Sequence, residues 1–257
     1  LFQRQTVLKE RVRYIMVQIG FKCNRGIVRE NNEDACFVIP GQDVYIVADG
    51  VGGNNSGEVA SRTAVSEIAE FVNKNDISHC RNADEIFEYL SQTIELANDK
   101  IYRMGIEIVE NRGMATTLVM AYIRNMTSYV ANIGDSRAYL FRDGVLRKIT
   151  VDHTYVNELV QQGVITEDEA ENHKQKNVIT KALGAEAYID PDFYKIDIHK
   201  NDIIMLCSDG LYGEVSEEEI VNSMNRDINM NDLCCELVDK ALEAGGRDNI
   251  TVVCLKI

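Results

Sequence analysis

Residues 117–149, TLVMAYIRNMTSYVANIGDSRAYLFRDGVLRKI, decide the fold class. Short runs rich in β-branched and aromatic residues stand at 117–123, 128–133, 137–142 and 145–149. Only a few residues separate each run from the next, and Asp143-Gly144 between the last two is a hairpin dipeptide. Strands joined this closely pair antiparallel, because a parallel pair needs a crossover of a dozen or more residues. A doubly wound parallel sheet is therefore excluded.

The same reading extends outward. Strands are expected at 13–20, 36–39, 44–48, 193–198, 203–208 and 250–257, with a turn over Pro40-Gly41-Gln42-Asp43. Ala60, Ala64, Val65, Ile68 and Val72 share one helical face. So do Ile86, Leu90, Ile94, Ala97, Ile101, Met104 and Ile108. Two more helices are expected at 216–224 and 231–242. The mostly polar stretch 154–190, with short helices at 155–161 and 166–172, reads as an excursion from the sheet. Strands, two helices, strands, two helices and a last strand give an α+β chain. The simplest layering is a sandwich of antiparallel sheets flanked by helix pairs.

With 257 residues, 45% of them hydrophobic, the chain can bury a core without staples. A formal charge of −14 repels phosphate backbones and anionic lipid, which sets nucleic acid and membrane surfaces aside as partners. No apolar run approaches the ~18 residues of a membrane span, and no secretory leader is read at the start. Leu1 rather than Met opens the chain, which leaves a trimmed leader, tag or neighbouring domain open. The 7 cysteines are odd in number and lack a C-x-x-C, so they read as reduced thiols of a cytoplasmic protein.

Four aspartates stand at comparable places beside expected strands: Asp49, Asp135, Asp209 and Asp248. Each is flanked by glycine or a small turn residue, and any one alone is an ordinary turn signal. Jointly they suggest more, because buried carboxylates cannot cluster without cations. Oxygen-only ligands select hard ions, Mg2+ or Mn2+, and two such ions suit in-line displacement at phosphorus. Arg29-Glu30-Asn31-Asn32-Glu33-Asp34 adds a guanidinium fork for phosphate, with Glu33 and Asp34 as acceptors for metal-bound water. By itself that segment is also a plain charged loop.

Five motifs occur in order: Gly26-x-x-Arg29-x-x-Asn32-Glu33-Asp34, Ala48-Asp49-Gly50-Val51-Gly52-Gly53, Gly134-Asp135-Ser136-Arg137, Ser208-Asp209-Gly210 and Gly246-Arg247-Asp248-Asn249. Together they resemble the metal-dependent serine/threonine protein phosphatases of type 2C, in their compact bacterial form. The resemblance implies a four-layer α-β-β-α sandwich over residues 9–257, with 154–190 as a flap. It implies that Asp49 bridges two Mn2+ or Mg2+ ions, that the Gly50 carbonyl binds one, and that Asp209 and Asp248 complete the other. A third, looser ion would sit between Asp135 and Asp209. Arg29 would hold the substrate phosphate, while Glu33, Asp34 and Asn249 would support the metal shell. The implied reaction is hydrolysis of phosphoserine and phosphothreonine by metal-activated water, opposing a serine/threonine kinase.

The sequence also departs from the family pattern. Val51 stands where some members carry a proton-donating histidine, so the general acid is open between a metal-bound water and His153. His153 itself reads first as a structural residue at the flap base. Gly213 replaces an extra acid, and Ala115 replaces a usual glycine. A catalytically dead binding module is disfavoured because all four aspartates are in place. A sporulation-type relative is disfavoured by the Arg29–Asp34 motif.

Overall fold

A computed structural model describes residues 17–39, 41–52 and 56–257. Residues 9–16, which include the start of the first expected strand, together with Pro40 and the glycine-loop residues 53–55, lie outside the described residues.

The strands are β1 (Gln18–Asn24), β2 (Asp34–Ile39), β3 (Val44–Val51), β4 (Ala115–Thr116), β5 (Leu118–Arg124), β6 (Thr127–Ile133), β7 (Arg137–Arg142), β8 (Val145–Lys148), β9 (Asp192–Asp197), β10 (Ile203–Cys207) and β11 (Ile250–Lys256). The helices are α1 (Ser56–Lys74), α2 (Ala83–Glu107), α3 (Tyr155–Gln161), α4 (Glu167–Glu171), α5 (Asp209–Tyr212), α6 (Glu217–Met224) and α7 (Met230–Glu243).

Two antiparallel sheets result. The first has the order β1-β11-β10-β7-β8, and the second β2-β3-β5-β6-β9 with β4 paired beside β3. Three apolar clusters fill the spaces between four layers. Val47, Val119 and Val130 of the second sheet meet Leu206, Val253 and Leu255 of the first. Ile68, Leu90 and Ile94 of α1 and α2 cover the outer face of the second sheet. Leu233, Leu237 and Val238 of α7 cover the outer face of the first. The helices form as their spacing dictates: in α2, Ile86, Leu90, Ile94, Ala97 and Ile101 are all buried. Its N-terminus is capped by the Asn82 carboxamide oxygen, which accepts from Glu85 N–H at 2.9 Å.

The α-β-β-α architecture agrees with the sequence reading, and the differences are local. β1 runs on past the expected end at Gly20 and carries the polar residues Lys22, Cys23 and Asn24, because pairing with β11 from Gln18↔Lys256 to Asn24↔Ile250 defines it. β3 runs on past Ala48 to Val51, because β4 supplies partners for Gly50 and Val51. Asp49 is thus inside a strand rather than beyond its end. The β7–β8 hairpin turns at Asp143 (φ 51°) and Gly144 (φ 81°), the paired left-handed residues of a two-residue loop. Residues 154–190 hold α3 and α4; the bridge Thr154↔Ile179 closes the segment on itself, and Thr116↔Leu183 joins it to β4.

Register places the chemistry. Asp34↔Asp49, Leu118↔Ile133, Cys207↔Val252, Cys207↔Arg137 and Asn24↔Ile250 are terminal or near-terminal pairs. The ends of β3, β6, β10 and β1 and the starts of β2, β5, β7 and β11 therefore share one edge within each sheet. A hydrogen bond from Ser208 Oγ in the first sheet to Asp34 Oδ2 in the second (2.7 Å) brings the two edges together.

Candidate active site

All the aspartates singled out in the sequence lie at this shared edge. Asp49 is on β3, Asp135 follows β6, Asp209 opens α5 directly after β10, and Asp248 precedes β11. The backbone of Asp49 is fixed on both sides. Its N–H donates to Thr117 Oγ1 (3.0 Å), and its carbonyl accepts from Thr117 N–H and from the Thr116 hydroxyl, each at 2.8 Å. The Thr117 hydroxyl in turn meets Ser136 Oγ at 2.7 Å, beside Asp135.

Electrostatics shows how closely the carboxylates gather. Burial, and then Asp34, Asp209, Asp135 and Asp248, push the Asp49 carboxyl well above the usual range. Burial and then Asp248 raise Asp209, against the opposing effect of a hydrogen bond with Asp49. Burial pushes Asp135 up to about 7, with Asp209 and Asp152 adding to it, and pushes Asp34 up to about 8. Such shifts state that this concentration of negative charge lacks a counter-charge, and a bound cation reverses their direction.

The site fits a cation by another criterion. Asp34 Oδ1 and Asp209 Oδ1 are buried with no hydrogen-bond partner. Buried carboxylate oxygens ordinarily have partners, so orphans here mark places that an ion or its water can satisfy. The donor set is oxygen throughout, which suits Mg2+ or Mn2+. The side chains are not preset around one point: among the described residues, no group of three or more His, Cys, Asp or Glu is disposed to hold a single ion. Asp248 shows why, since its Oδ2 accepts from Arg29 Nη2 at 2.7 Å and its Oδ1 accepts from Asn249 N–H at 2.8 Å. Asp49 and Asp209 are in mutual contact, while Asp248 is turned to Arg29.

Gly50 explains itself sterically. A Cβ there would stand 2.1 Å from the Gly57 carbonyl oxygen and 2.6 Å from that of Glu33. Only glycine allows the start of α1 and the 25–33 loop to close on β3 at this point.

Arg29 sits on that loop, its side chain 53% exposed. Its guanidinium faces Asp248 and then Asp209 and Asp49, which together raise its affinity for a proton against the effect of burial. The loop is tied down by Asn249, whose Nδ2 donates to the carbonyls of Arg25 (2.8 Å) and Asn31 (2.9 Å) while its Oδ1 accepts from Glu33 N–H (2.7 Å). Asn249 thus acts on the loop backbone. Asp34 is buried against Ser208, and Glu33 is half-buried, with burial raising its carboxyl.

His153 is held as a structural residue. Its Nδ1 accepts from Gly134 N–H at 3.0 Å, its own N–H donates to Gly134 O at 3.0 Å, and its carbonyl accepts from Thr180 N–H at 2.8 Å. Nε2 comes within 3.3 Å of Asp192 Oδ2 without the alignment of a hydrogen bond. Burial, and then Lys181, hold the imidazole below its usual range and therefore neutral.

Sequence reasoning missed Ser208, Thr116, Thr117, Ser136 and Thr251 as supports of the carboxylates. It also missed the Arg137 guanidinium, which lies 3.4 Å over the Tyr212 ring while the Tyr212 hydroxyl donates to Asp135 O at 2.9 Å. Ser208 and Ser136 stand next to singled-out acids in the motifs, and Arg137 two residues from one. Nothing local in the sequence reveals their partners.

Comparison with known proteins adds to this geometry. The family model described as Protein phosphatase 2C matches residues 27–246. Serine/threonine phosphatase Stp of Listeria monocytogenes is 36% identical over 236 residues, spanning 91% of this chain and 93% of its own. The solved serine/threonine phosphatase of S. agalactiae superposes with a TM-score of 0.88 at 32% identity, covering 94% of this chain and 99% of its own. The catalytic domain of serine threonine protein phosphatase PstP, solved in complex with 2 manganese ions, gives a TM-score of 0.81 at 32% identity, covering 93% and 97%.

Proposed function

The chain belongs to the protein phosphatase 2C family, and from that premise we propose that it hydrolyses phosphoserine and phosphothreonine in proteins at a binuclear Mn2+ or Mg2+ centre, opposing a serine/threonine kinase. As a metal-dependent serine/threonine protein phosphatase, it needs a site that gathers hard cations beside a phosphate-binding cation. The observation that carries the proposal is the convergence of Asp34, Asp49, Asp135, Asp209 and Asp248 at one edge, with buried oxygens of Asp34 and Asp209 unpartnered.

Asp49, whose carboxyl feels all four of the other aspartates, would be held in common by two ions. The Gly50 carbonyl would serve one ion, and Asp209 and Asp248 the other. Asp135, near Asp209, would serve a third and looser ion. Such ions would supply an acidified water and offset charge on the transferring phosphoryl group. The remaining work falls to the protein. Arg29 receives the substrate phosphate in exchange for Asp248, its exposed fork suited to bidentate capture. Asp34, held by Ser208, and Glu33 orient water at the centre. Asn249 keeps the Arg29 loop in register.

The leaving-group proton does not come from Val51, which has no acid. His153 serves the fold, with Nδ1 accepting from Gly134 N–H and Nε2 facing Asp192. Solvent at the centre remains as the donor. Residues 154–190 form a flap beside the site, and the cysteines, free thiols throughout the described residues, suit a cytoplasmic enzyme. No helix among the described residues is long and apolar enough to cross a membrane.

The direct test is phosphate release from a phosphothreonine peptide with Mn2+, with Mg2+ and with chelator. Turnover that requires the divalent ion and disappears in Asp49→Asn is the expected result. Turnover indifferent to chelation would overturn the proposal.

A further inference from the structure

Arg137 closes the motif Gly134-Asp135-Ser136-Arg137, yet the reaction above gives it no task. The turn that carries Asp135 is also a passage between the sheets, since β6 lies in the second sheet and β7 in the first. Asp209 follows β10 of the first sheet. The spacing of these two carboxylates therefore depends on how firmly the turn is held against α5.

The turn is held from several directions. His153 grips Gly134 at both backbone groups, its Nδ1 accepting from Gly134 N–H and its N–H donating to Gly134 O, each at 3.0 Å. Ser136 Oγ meets the Thr117 hydroxyl at 2.7 Å. Between these two holds, the Asp135 carbonyl accepts from the Tyr212 hydroxyl at 2.9 Å. That bond comes from the element that carries Asp209. α5 is a single turn from Asp209 to Tyr212, and residues three apart are neighbours on a helix surface. α5 thus presents one acid at its start and holds the backbone of the other from its end.

The Tyr212 ring is itself fixed. Arg137 Cζ lies 3.4 Å from the centre of the ring, a cation–π contact. The guanidinium has no freedom to swing away. Its Nε donates to both Asp152 carboxylate oxygens, at 3.1 and 3.0 Å, and its Nη2 donates to Oδ2 at 2.6 Å. Its Nη1 donates to the Tyr139 hydroxyl at 3.0 Å. Asp152 and Tyr139 are both buried. A fork gripped at both ends fixes the guanidinium plane, the plane fixes the ring, and the ring aims the hydroxyl.

We propose that Tyr212, clamped by Arg137, is a positioning residue that sets the spacing of the Asp135 and Asp209 carboxylates and thereby the affinity for the loosest divalent ion. The role rests on the function proposed above. The hydroxyl acts on the Asp135 backbone and touches no reacting group. Its removal leaves both carboxylates in the chain but frees one to drift from the other. Groups that orient metal ligands in this way typically contribute about tenfold to a hundredfold in metal affinity.

The test is calorimetric titration of the intact protein with Mn2+, alongside kcat for a phosphothreonine peptide as a function of Mn2+ concentration. Tyr212→Phe keeps the ring beneath the guanidinium and deletes only the hydroxyl. It should weaken the loosest Mn2+ by roughly tenfold, leave the tighter ions unchanged, and regain the wild-type kcat at high Mn2+. Arg137→Lys keeps the charge without the fork, and should weaken the same ion although the hydroxyl is present. In an Asp135→Asn background, Tyr212→Phe should add nothing, because it acts through Asp135. An additive loss in that background, an equal weakening of every ion, or an unchanged Mn2+ affinity in Tyr212→Phe would overturn the proposal. If Arg137→Lys fails to fold, Tyr212→Phe decides alone. A wild-type protein that takes up no Mn2+ would overturn the function proposed above and this role with it.

Discussion

Asn249→Ala removes the side chain that binds the Arg29 loop to the start of β11. Three hydrogen bonds go at once, to Arg25 O, Asn31 O and Glu33 N–H, all between 2.7 and 2.9 Å. Asn249 is 5% exposed, so water replaces these bonds poorly. At a net contribution of about 1 kcal/mol per bond, the loss is about 3 kcal/mol. For a chain of this size that lowers Tm by roughly 6–12 °C. The loop does not detach, because Ile27 N–H and Val28 N–H still donate to Gly246 O, at 2.8 and 3.3 Å. Arg29 keeps its chain position but loses its register, so KM for a phosphopeptide should rise more than kcat falls. Thermal melts and steady-state kinetics read the two effects separately. Asn249→Asp is the control: it keeps the acceptor but points a carboxylate at two carbonyl oxygens, and it should rescue neither. A Tm shift below about 2 °C with an unchanged KM would refute the loop-anchoring role.

Three other outcomes are expected. Arg29→Ala should raise KM for phosphopeptides while changing stability by no more than about 1 kcal/mol, because the pair with Asp248 is exposed; an unchanged KM would contradict phosphate contact. Asp209→Asn should abolish turnover and weaken Mn2+ binding in calorimetry, and near-normal binding would contradict its role as a ligand. In chelator, the protein should lose stability as pH rises from about 4 toward about 8. Asp34 and Asp135 have folded pKa values of about 8 and about 7, raised chiefly by burial from 3.8, so folding opposes their ionisation. The stability they contribute is complete below the unfolded value and disappears above the folded one. Mn2+ should flatten the dependence, and melts that are flat in chelator would contradict the shifts.

The fold was legible where structure is local. Asp143-Gly144 announced its hairpin because a two-residue loop of that twist needs two left-handed residues. The buried stripe of α2 was legible as spacing. β4 was not, since two residues carry no period and only register with Gly50 and Val51 defines them. The four acids beside glycine were visible as candidates. Their partners were not, because Ser208 and Asp34 are 174 residues apart and Asn249 lies 216 residues from Glu33. A resemblance of ordered motifs supplied roles that spacing could not.

The most direct measurement is an anomalous difference map at the manganese edge, from crystals grown with Mn2+. Two peaks should flank the Asp49 carboxylate, one also within ligand distance of Asp209 and Asp248 and the other of the Gly50 carbonyl oxygen. An active, Mn2+-loaded protein with no peak at Asp49 would contradict the metal centre at its root.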